Sequence, residues 1–147
     1  MDILTETKHL QNRLDDLRNS QMSIGLVPTM GYLHDGHLSL IRKARSENDA
    51  VVTTIFVNPL QFAETEDLDT YPTDIEKDIF LASEAGTDLL FTPTNEEMFC
   101  DDVLTTVSVQ EISTVLEGAS RPTHFSGVAT IVAKLFNYCW SLLSLFW

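Results

Sequence analysis

The sequence predicts an α/β protein with a Rossmann-like open parallel sheet covered by flanking helices. Three short apolar runs, at 24–29, 50–57 and 87–93, alternate with segments of helical period. This alternation is typical of βαβ units, because parallel strands need a crossover connection that is usually a helix. With 147 residues, of which 44% are hydrophobic, the chain is long enough to bury the core of one domain.

The N-terminal half supplies the first part of this pattern. Its predicted elements are a helix over 5–19, a strand over 24–29, a helix over 37–48 and a strand over 50–57. Leu10, Leu14 and Leu17 fall on one face of the first helix. The strand at 50–57 (AVVTTIFV) is rich in β-branched residues and is predicted to be buried. Asn58-Pro59 is predicted to turn the chain where that strand ends.

The C-terminal half continues the pattern and then departs from it. Its predicted elements are a helix over 73–85, a strand over 87–93, an edge strand or flap over 105–109 (TTVSV) and a helix over 128–137. Thr73 or Asp74 is predicted to cap the helix over 73–85, and Gly86 to end it.

The last ten residues, YCWSLLSLFW at 138–147, carry no charge and are almost all apolar or aromatic. They reach only half of the roughly 20 residues that a membrane-spanning helix needs. We interpret them as a divergent tail that either fills a groove or stays exposed as an aggregation liability.

Composition and charge exclude several function classes. Acidic residues outnumber basic ones 22 to 9, which gives a formal net charge of −13 and argues against a nucleic-acid partner. The N-terminus lacks a basic region followed by an apolar one, so neither a signal peptide nor a membrane protein is predicted. Cys100 and Cys139 lack metal-ligand spacing, which favours a reduced, cytoplasmic setting. The acids between Glu64 and Asp78 are interpreted as a solvated face without a metal site.

The stretch PTMGYLHDGH, at 28–37, carries the chemistry. Gly31 and Gly36 allow a sharp turn or a close backbone approach to a ligand. His37 is predicted in the first turn of a helix, where free N–H groups favour an anion, and His34 lies three residues earlier. Both imidazoles could then face one pocket and stabilise charge on a phosphoryl group. Histidines in a turn also serve as capping or surface residues, and that alternative stays open.

Three blocks in order, PTMGYLHDGHLSLI, TTIFVNPLQF and LEGASRPTHFSGVATIVAKLFN, resemble the pantoate–β-alanine ligase (pantothenate synthetase) family. That family is one of the HxGH nucleotidyltransferases. The resemblance covers residues 1–137 and implies that they form a partial N-terminal nucleotide-binding domain. It implies a two-step ligation in which ATP adenylates pantoate with release of pyrophosphate. The amine of β-alanine then displaces AMP to give pantothenate, and Mg²⁺ assists as part of the nucleotide complex.

The resemblance also assigns roles by position. ATP would be held by Met30, Gly31, Tyr32, Leu33, His34, Asp35, Gly36 and His37, with both histidines on the phosphates and His37 as the catalytic donor. Asn58 and Gln61 would lie in the pantoate pocket, where an amide both donates and accepts. Arg121 and His124 are further candidates for pantoate or β-alanine, although RPTHF could equally be a turn that caps the next helix. No metal ligand is identified in the chain.

The chain departs from the family after KLFN at 134–137. Family members continue with a motif resembling FGxKDxQQ and later a C-terminal lid domain, which this sequence lacks. Weak or absent activity is therefore expected, since each group aimed at the transition state contributes on the order of 3 kcal/mol. The alternative is an inactive remnant that binds nucleotide or forms a homodimer. Another HxGH nucleotidyltransferase is disfavoured, because FVNPLQF offers amides rather than basic residues for a phosphorylated substrate.

Overall fold

The predicted parallel sheet is present in a computed structural model, which describes residues 1–63, 68–99, 103–139 and 143–144. The strands are β1 (Asp2–Leu4), β2 (Ile24–Thr29), β3 (Ala50–Ile55), β4 (Leu89–Phe91) and β5 (Leu143–Ser144). All are parallel, in the order β1-β4-β3-β2-β5. The longest pairing joins β2 to β3, from Ile24 opposite Ala50 to Thr29 opposite Ile55. The carboxyl ends of these two strands therefore lie side by side.

Helices flank the sheet on both faces. They are α1 (Thr7–Asn19), α2 (Asp35–Glu47), α3 (Ile75–Ala85), α4 (Asn95–Met98), α5 (Glu117–Ser120) and α6 (His124–Cys139). Short 3₁₀ turns lie at Pro59–Gln61, Leu68–Thr70 and Ile112–Thr114. One buried cluster packs α1 and α6 on the sheet, and a second packs α2 and α3 on it. This two-sided arrangement is the α/β architecture that the alternating pattern predicts.

The predicted helix starts and stops are confirmed where a local signal marks them. Asp74 caps α3 by accepting a hydrogen bond from the Lys77 amide at 3.1 Å. Gly86 ends the same helix in the left-handed region, with φ of 104°. Leu10 and Leu14 are buried on α1, and Leu38, Ile41 and Ala44 are buried on α2. The helical period in the sequence therefore marks the inward faces of these helices.

The structure differs from the sequence prediction at two strands. Residues 105–109, predicted as an edge strand or a flap, form no strand: the segment docks on α6, where the Val107 amide donates to the Thr130 hydroxyl at 2.9 Å. Conversely, β1 was not predicted, because three residues are too few to show a period. Its place at the sheet edge comes from pairing with β4, far along the chain. The final helix also begins four residues before the predicted Val128.

The apolar tail continues the fold over the residues that the structure describes. Tyr138 and Cys139 complete α6, and Leu143–Ser144 pairs with Gly25 and Leu26 of β2. Residues 140–142 and 145–147 of the tail, like Cys100 and residues 64–67, lie outside the described residues. Burial raises the pKa of the Cys139 thiol to about 12. In the part of the chain that the structure describes, none of the helices combines the length and apolar character needed to cross a bilayer.

Candidate active site

A cavity of about 360 Å³ opens where the chain leaves the carboxyl ends of β2 and β3. This size and position are typical of small-molecule sites in open α/β sheets. Polar groups and an apolar wall share its lining. Its residues are Pro28, Thr29, Met30, His37, Phe56, Gln61, Tyr71, His124, Phe125, Val128, Ile131, Val132 and Leu135.

The turn between β2 and α2 forms one side of the cavity. Thr29 anchors it: its hydroxyl donates to the Thr54 carbonyl at 2.6 Å and accepts from the Gly31 amide at 3.1 Å. Gly31 and Tyr32 both have positive φ, at 83° and 49°, so the chain reverses sharply here. Only glycine adopts such angles without cost, which explains Gly31. The reversal brings the chain to His34, the N-cap of α2.

His34 and His37 are in contact, with ring centroids 4.1 Å apart. The Gly36 amide donates to Nδ1 of His34 at 3.1 Å, and the His34 amide donates to Nδ1 of His37 at 3.4 Å. Because each Nδ1 accepts, the neutral rings carry their protons on Nε2. His34 is exposed and caps the helix, so the capping alternative holds for its side chain. His37 is half-buried and lines the cavity.

The electrostatics of His37 follow from its surroundings. Burial lowers the pKa of His37 below its ordinary value of 6.5, and the neighbouring His34 lowers it further. The charge of Asp78 acts in the opposite direction. The neutral imidazole with a proton on Nε2 is therefore the favoured state at neutral pH. Together with the N-terminus of α2, it presents hydrogen-bond donors suited to an anion.

Asp78 corrects the interpretation of the acidic segment as a solvated face. Its side chain is only 2% exposed. Its two carboxylate oxygens accept from the amides of Tyr32 and Leu33, each at 2.7 Å. The sequence could not reveal this, because the contact joins residues about 45 positions apart. Among the described residues, no cluster of acids, histidines and cysteines could hold a metal ion.

The Pro59–Gln61 turn forms the opposite side of the cavity. Asn58 is fully buried and caps this turn, accepting from the Leu60 amide at 3.2 Å. Its Nδ2 donates to Oε1 of Gln61 at 3.0 Å and to the carbonyl of Gly127 at 3.1 Å. The oxygen of the Gln61 side chain is thus engaged, which leaves the NH₂ group as the hydrogen-bond donor of this cavity-lining side chain. Asn58 lies behind Gln61 and does not line the cavity.

Arg121 and His124 converge on the backbone of the same turn. Arg121 Nη2 donates to the Gln61 carbonyl at 3.2 Å, and its Nη1 lies 3.5 Å from Glu117. Nδ1 of His124 is 2.9 Å from that carbonyl, which can only accept, so Nδ1 is the donor. His124 Nε2 is then the ring nitrogen left for a ligand. His124 lines the cavity, whereas Arg121 lies against the turn.

The apolar wall was missed as part of the site. Four of its residues, Val128, Ile131, Val132 and Leu135, recur at helical spacing along α6 and line the cavity together with Phe56 and Phe125. Helical spacing marks an inward face but does not distinguish a packed core from a cavity wall. Tyr71 was also missed, since nothing in the acidic segment around it signals a site. Burial and the charge of Asp78 raise the pKa of Tyr71.

The structure thus brings Met30, His37, Gln61 and His124 together around one cavity. The other residues of the HxGH turn (Gly31, Tyr32, Leu33, His34, Asp35 and Gly36) shape the entry to α2 and do not line the cavity. Their assignment to ATP stays a prediction. So do the assignments of Asn58 and Arg121 to pantoate or β-alanine.

Comparison with known proteins agrees with this architecture. A family model described as pantoate-beta-alanine ligase matches residues 2–146. Pantothenate synthetase from Bacillus cereus (strain ATCC 10987 / NRS 248) is 54% identical over 137 residues, which are 93% of this chain and 49% of that protein. The enzyme from Rhizobium johnstonii is 51% identical over 93% of this chain and 45% of its own length. The chain therefore spans about half the length of the curated relatives it matches.

Solved structures give the same result. Pantothenate synthetase from Thermus thermophilus superposes with a TM-score of 0.91 and 46% sequence identity, and the match covers 98% of this chain and 51% of that one. Pantoate-beta-alanine ligase from Francisella tularensis, solved in complex with beta-gamma ATP and beta-alanine, has a TM-score of 0.89 and 44% identity. That match covers 95% of this chain and 53% of the Francisella chain.

Proposed function

Because the chain belongs to the pantoate-beta-alanine ligase family, we propose that it performs the adenylation step of pantothenate synthesis. In this step a carboxylate oxygen of pantoate attacks the α-phosphorus of ATP, and the bond to pyrophosphate breaks. The product is a pantoyl-adenylate. In the second step the amine of β-alanine attacks its acyl carbon, AMP leaves, and pantothenate forms.

The lining of the cavity is the observation that carries this proposal. Pantoate has a carboxylate and two hydroxyl groups at its ends and two methyl groups between them. The cavity offers a matching division: the NH₂ group of Gln61 and Nε2 of His124 at its polar side, and the apolar face of α6 opposite. Burying the methyl groups against that face favours binding by roughly 0.8 kcal/mol for each carbon group buried.

Support for ATP comes from the start of α2. The positive end of the α2 dipole and the Nε2 proton of His37 would both favour negative charge beside the cavity. The Francisella relative binds beta-gamma ATP and beta-alanine in its crystal structure. Mg²⁺ would enter as part of the nucleotide substrate, because the described residues that line the cavity include no carboxylate to hold it. We extend the proposal to β-alanine as second substrate, to a homodimer and to a cytoplasmic location.

The test is pantoate-dependent exchange of labelled pyrophosphate into MgATP by the purified, folded chain. We expect weak exchange, and we expect His37→Ala to abolish it while the fold stays intact. His9→Ala is the matched control, since His9 is an exposed histidine on α1. Exchange without pantoate, or normal exchange by His37→Ala, would contradict the proposed site. A folded chain that binds MgATP without exchange would support the alternative of a nucleotide-binding remnant.

A further inference from the structure

We propose that Asp78 is the positioning residue of this site: its carboxylate fixes the Tyr32–Leu33 backbone and thereby places His37 against the cavity. The effect of Asp78 on catalysis rests on the proposed function, whereas its effect on the backbone of Tyr32 and Leu33 does not. Asp78 does not line the cavity, so it acts through the turn rather than on a substrate.

The geometry of the contact is a two-point clamp. Oδ2 accepts from the Tyr32 amide and Oδ1 from the Leu33 amide, both at 2.7 Å. These short, charge-assisted bonds reach consecutive residues from a different helix, α3. A carboxylate provides two acceptors, whereas an amide provides one acceptor and one donor. The clamp therefore requires aspartate, because asparagine at position 78 would supply only one of the two acceptors.

The clamp acts where the backbone most needs support. Tyr32 has φ of 49°, in a region that is unfavourable for a side chain larger than hydrogen. Gly31, with φ of 83°, precedes it, and a Cβ there would lie 3.0 Å from Oδ2 of Asp78. Met30 and His37, which both line the cavity, lie on either side of this strained pair. Fixing the pair therefore fixes the spacing between them.

The burial of Asp78 also needs an explanation other than an ion pair. Within residues 1–63, 68–99 and 103–139, no lysine or arginine side chain pairs with its carboxylate. A carboxylate that is 2% exposed is costly without compensation, and the two backbone amides provide it. Among the described residues, its charge favours the protonated forms of His37 and Tyr71: it partly offsets the lowered pKa of His37 and contributes to the raised pKa of Tyr71.

The experiment compares Asp78→Asn with Asp74→Asn. Both changes remove one negative charge from the start of α3, but Asp74 is exposed and asparagine caps a helix equally well. Amide hydrogen exchange, measured by NMR, should show Tyr32 and Leu33 losing about tenfold or more of their protection in Asp78→Asn alone. The His37 ring resonances should shift in the same variant. Unchanged protection in Asp78→Asn would overturn the proposal.

Kinetics give an independent readout that a merely structural role would not produce. In the pyrophosphate-exchange assay, Asp78→Asn should raise the KM for MgATP about tenfold or more and leave the KM for pantoate within about twofold. Equal rises in the KM for MgATP and the KM for pantoate would contradict a positioning role at the turn between β2 and α2. If the wild-type chain shows no exchange, the proposed function fails, and the exchange protection of Tyr32 and Leu33 still decides the role of Asp78.

A second variant covers the case in which Asp78→Asn does not fold. Gly31→Ala keeps the carboxylate but places a methyl group 3.0 Å from Oδ2. It should reduce the protection of the same two amides. Full protection in a folded Gly31→Ala protein would show that crowding Oδ2 of Asp78 leaves the two amides fixed, and would overturn the proposal that a closely placed carboxylate holds them.

Discussion

The surroundings of the His37 imidazole disfavour its protonated form. Burial and the neighbouring His34 lower its pKa, and Asp78 only partly offsets them. A bound phosphate would reverse this preference, because it stabilises the charged ring.

This lowered pKa predicts a pH dependence of stability. The unfolded chain binds a proton at His37 near pH 6.5, whereas the folded chain binds it at lower pH. The contribution of His37 to stability is therefore present above pH 6.5 and is lost as the pH falls through the folded-state pKa. Urea unfolding between about pH 8 and about pH 5.5 should show the free energy of unfolding falling less steeply in His37→Gln than in the wild type.

The control for this prediction is His9→Gln, which changes an exposed histidine on α1. A change that both variants share reflects the loss of a histidine in general, and the difference between them belongs to His37. Identical slopes for His37→Gln and the wild type would contradict the lowered pKa of His37.

The two sides of the cavity differ in how far the sequence revealed them. His37 and Gln61 stand next to strong local signals, a strand followed by glycines and an Asn-Pro turn, so their place at strand ends was predictable. Asp78 and Tyr71 have no such signal. Their positions depend on packing α3 and the segment before it against a turn about 40 residues earlier, which no local period encodes.

At the scale of elements, the approach of α6 to the Pro59–Gln61 turn sets the width of the cavity. Gly127 permits this approach: a Cβ there would lie 2.1 Å from the Leu60 carbonyl oxygen and 2.7 Å from the Gln61 amide nitrogen. Its own carbonyl accepts from Asn58, the residue behind Gln61. One glycine thus couples the helix, the turn and the amide that faces the cavity.

Gly127→Ala should therefore move α6 away from the turn. Overpacking of this kind costs about 1–3 kcal/mol of stability, measured as the change in urea unfolding free energy. In the exchange assay the KM for pantoate should rise more than the KM for MgATP, because the change displaces Gln61 and leaves the turn between β2 and α2 in place. Ser126→Ala, one residue earlier on α6, should leave the unfolding free energy and both KM values close to those of the wild type. A fully stable Gly127→Ala protein with unchanged kinetics would show that α6 does not set the position of Gln61.

The sequence pattern misjudged the elements whose packing or pairing partners lie far along the chain. The alternating TTVSV segment satisfies the strand pattern, but it docks on Thr130 of α6 rather than on another strand. The short β1 shows no pattern and is a strand only because β4 lies beside it. Pattern reports which face of a segment is apolar, whereas the partner decides whether the segment pairs or docks.

At the scale of the whole molecule, the tail bears on how the edge of the sheet at β2 is covered. Parallel sheets are normally covered on both faces, and an open edge favours pairing with other chains. Here the backbone of Leu143–Ser144 pairs with Gly25 and Leu26, on the side of β2 away from β3. The tail was interpreted from the sequence as either a groove filler or a liability. Within it, residues 143–144 extend the sheet beside β2.

Removing residues 140–147 should therefore uncover the β2 edge. We expect the shortened chain to lose about 1–3 kcal/mol of unfolding free energy, the size of a few backbone hydrogen bonds. It should also form larger species at concentrations where the full chain does not, as measured by light scattering after size exclusion. Ser144→Pro should reproduce both effects, because proline cannot donate to the strand pairing, whereas Ser144→Ala should not. If the shortened chain and Ser144→Pro both match the full chain, the pairing of the tail with β2 contributes nothing to stability or association.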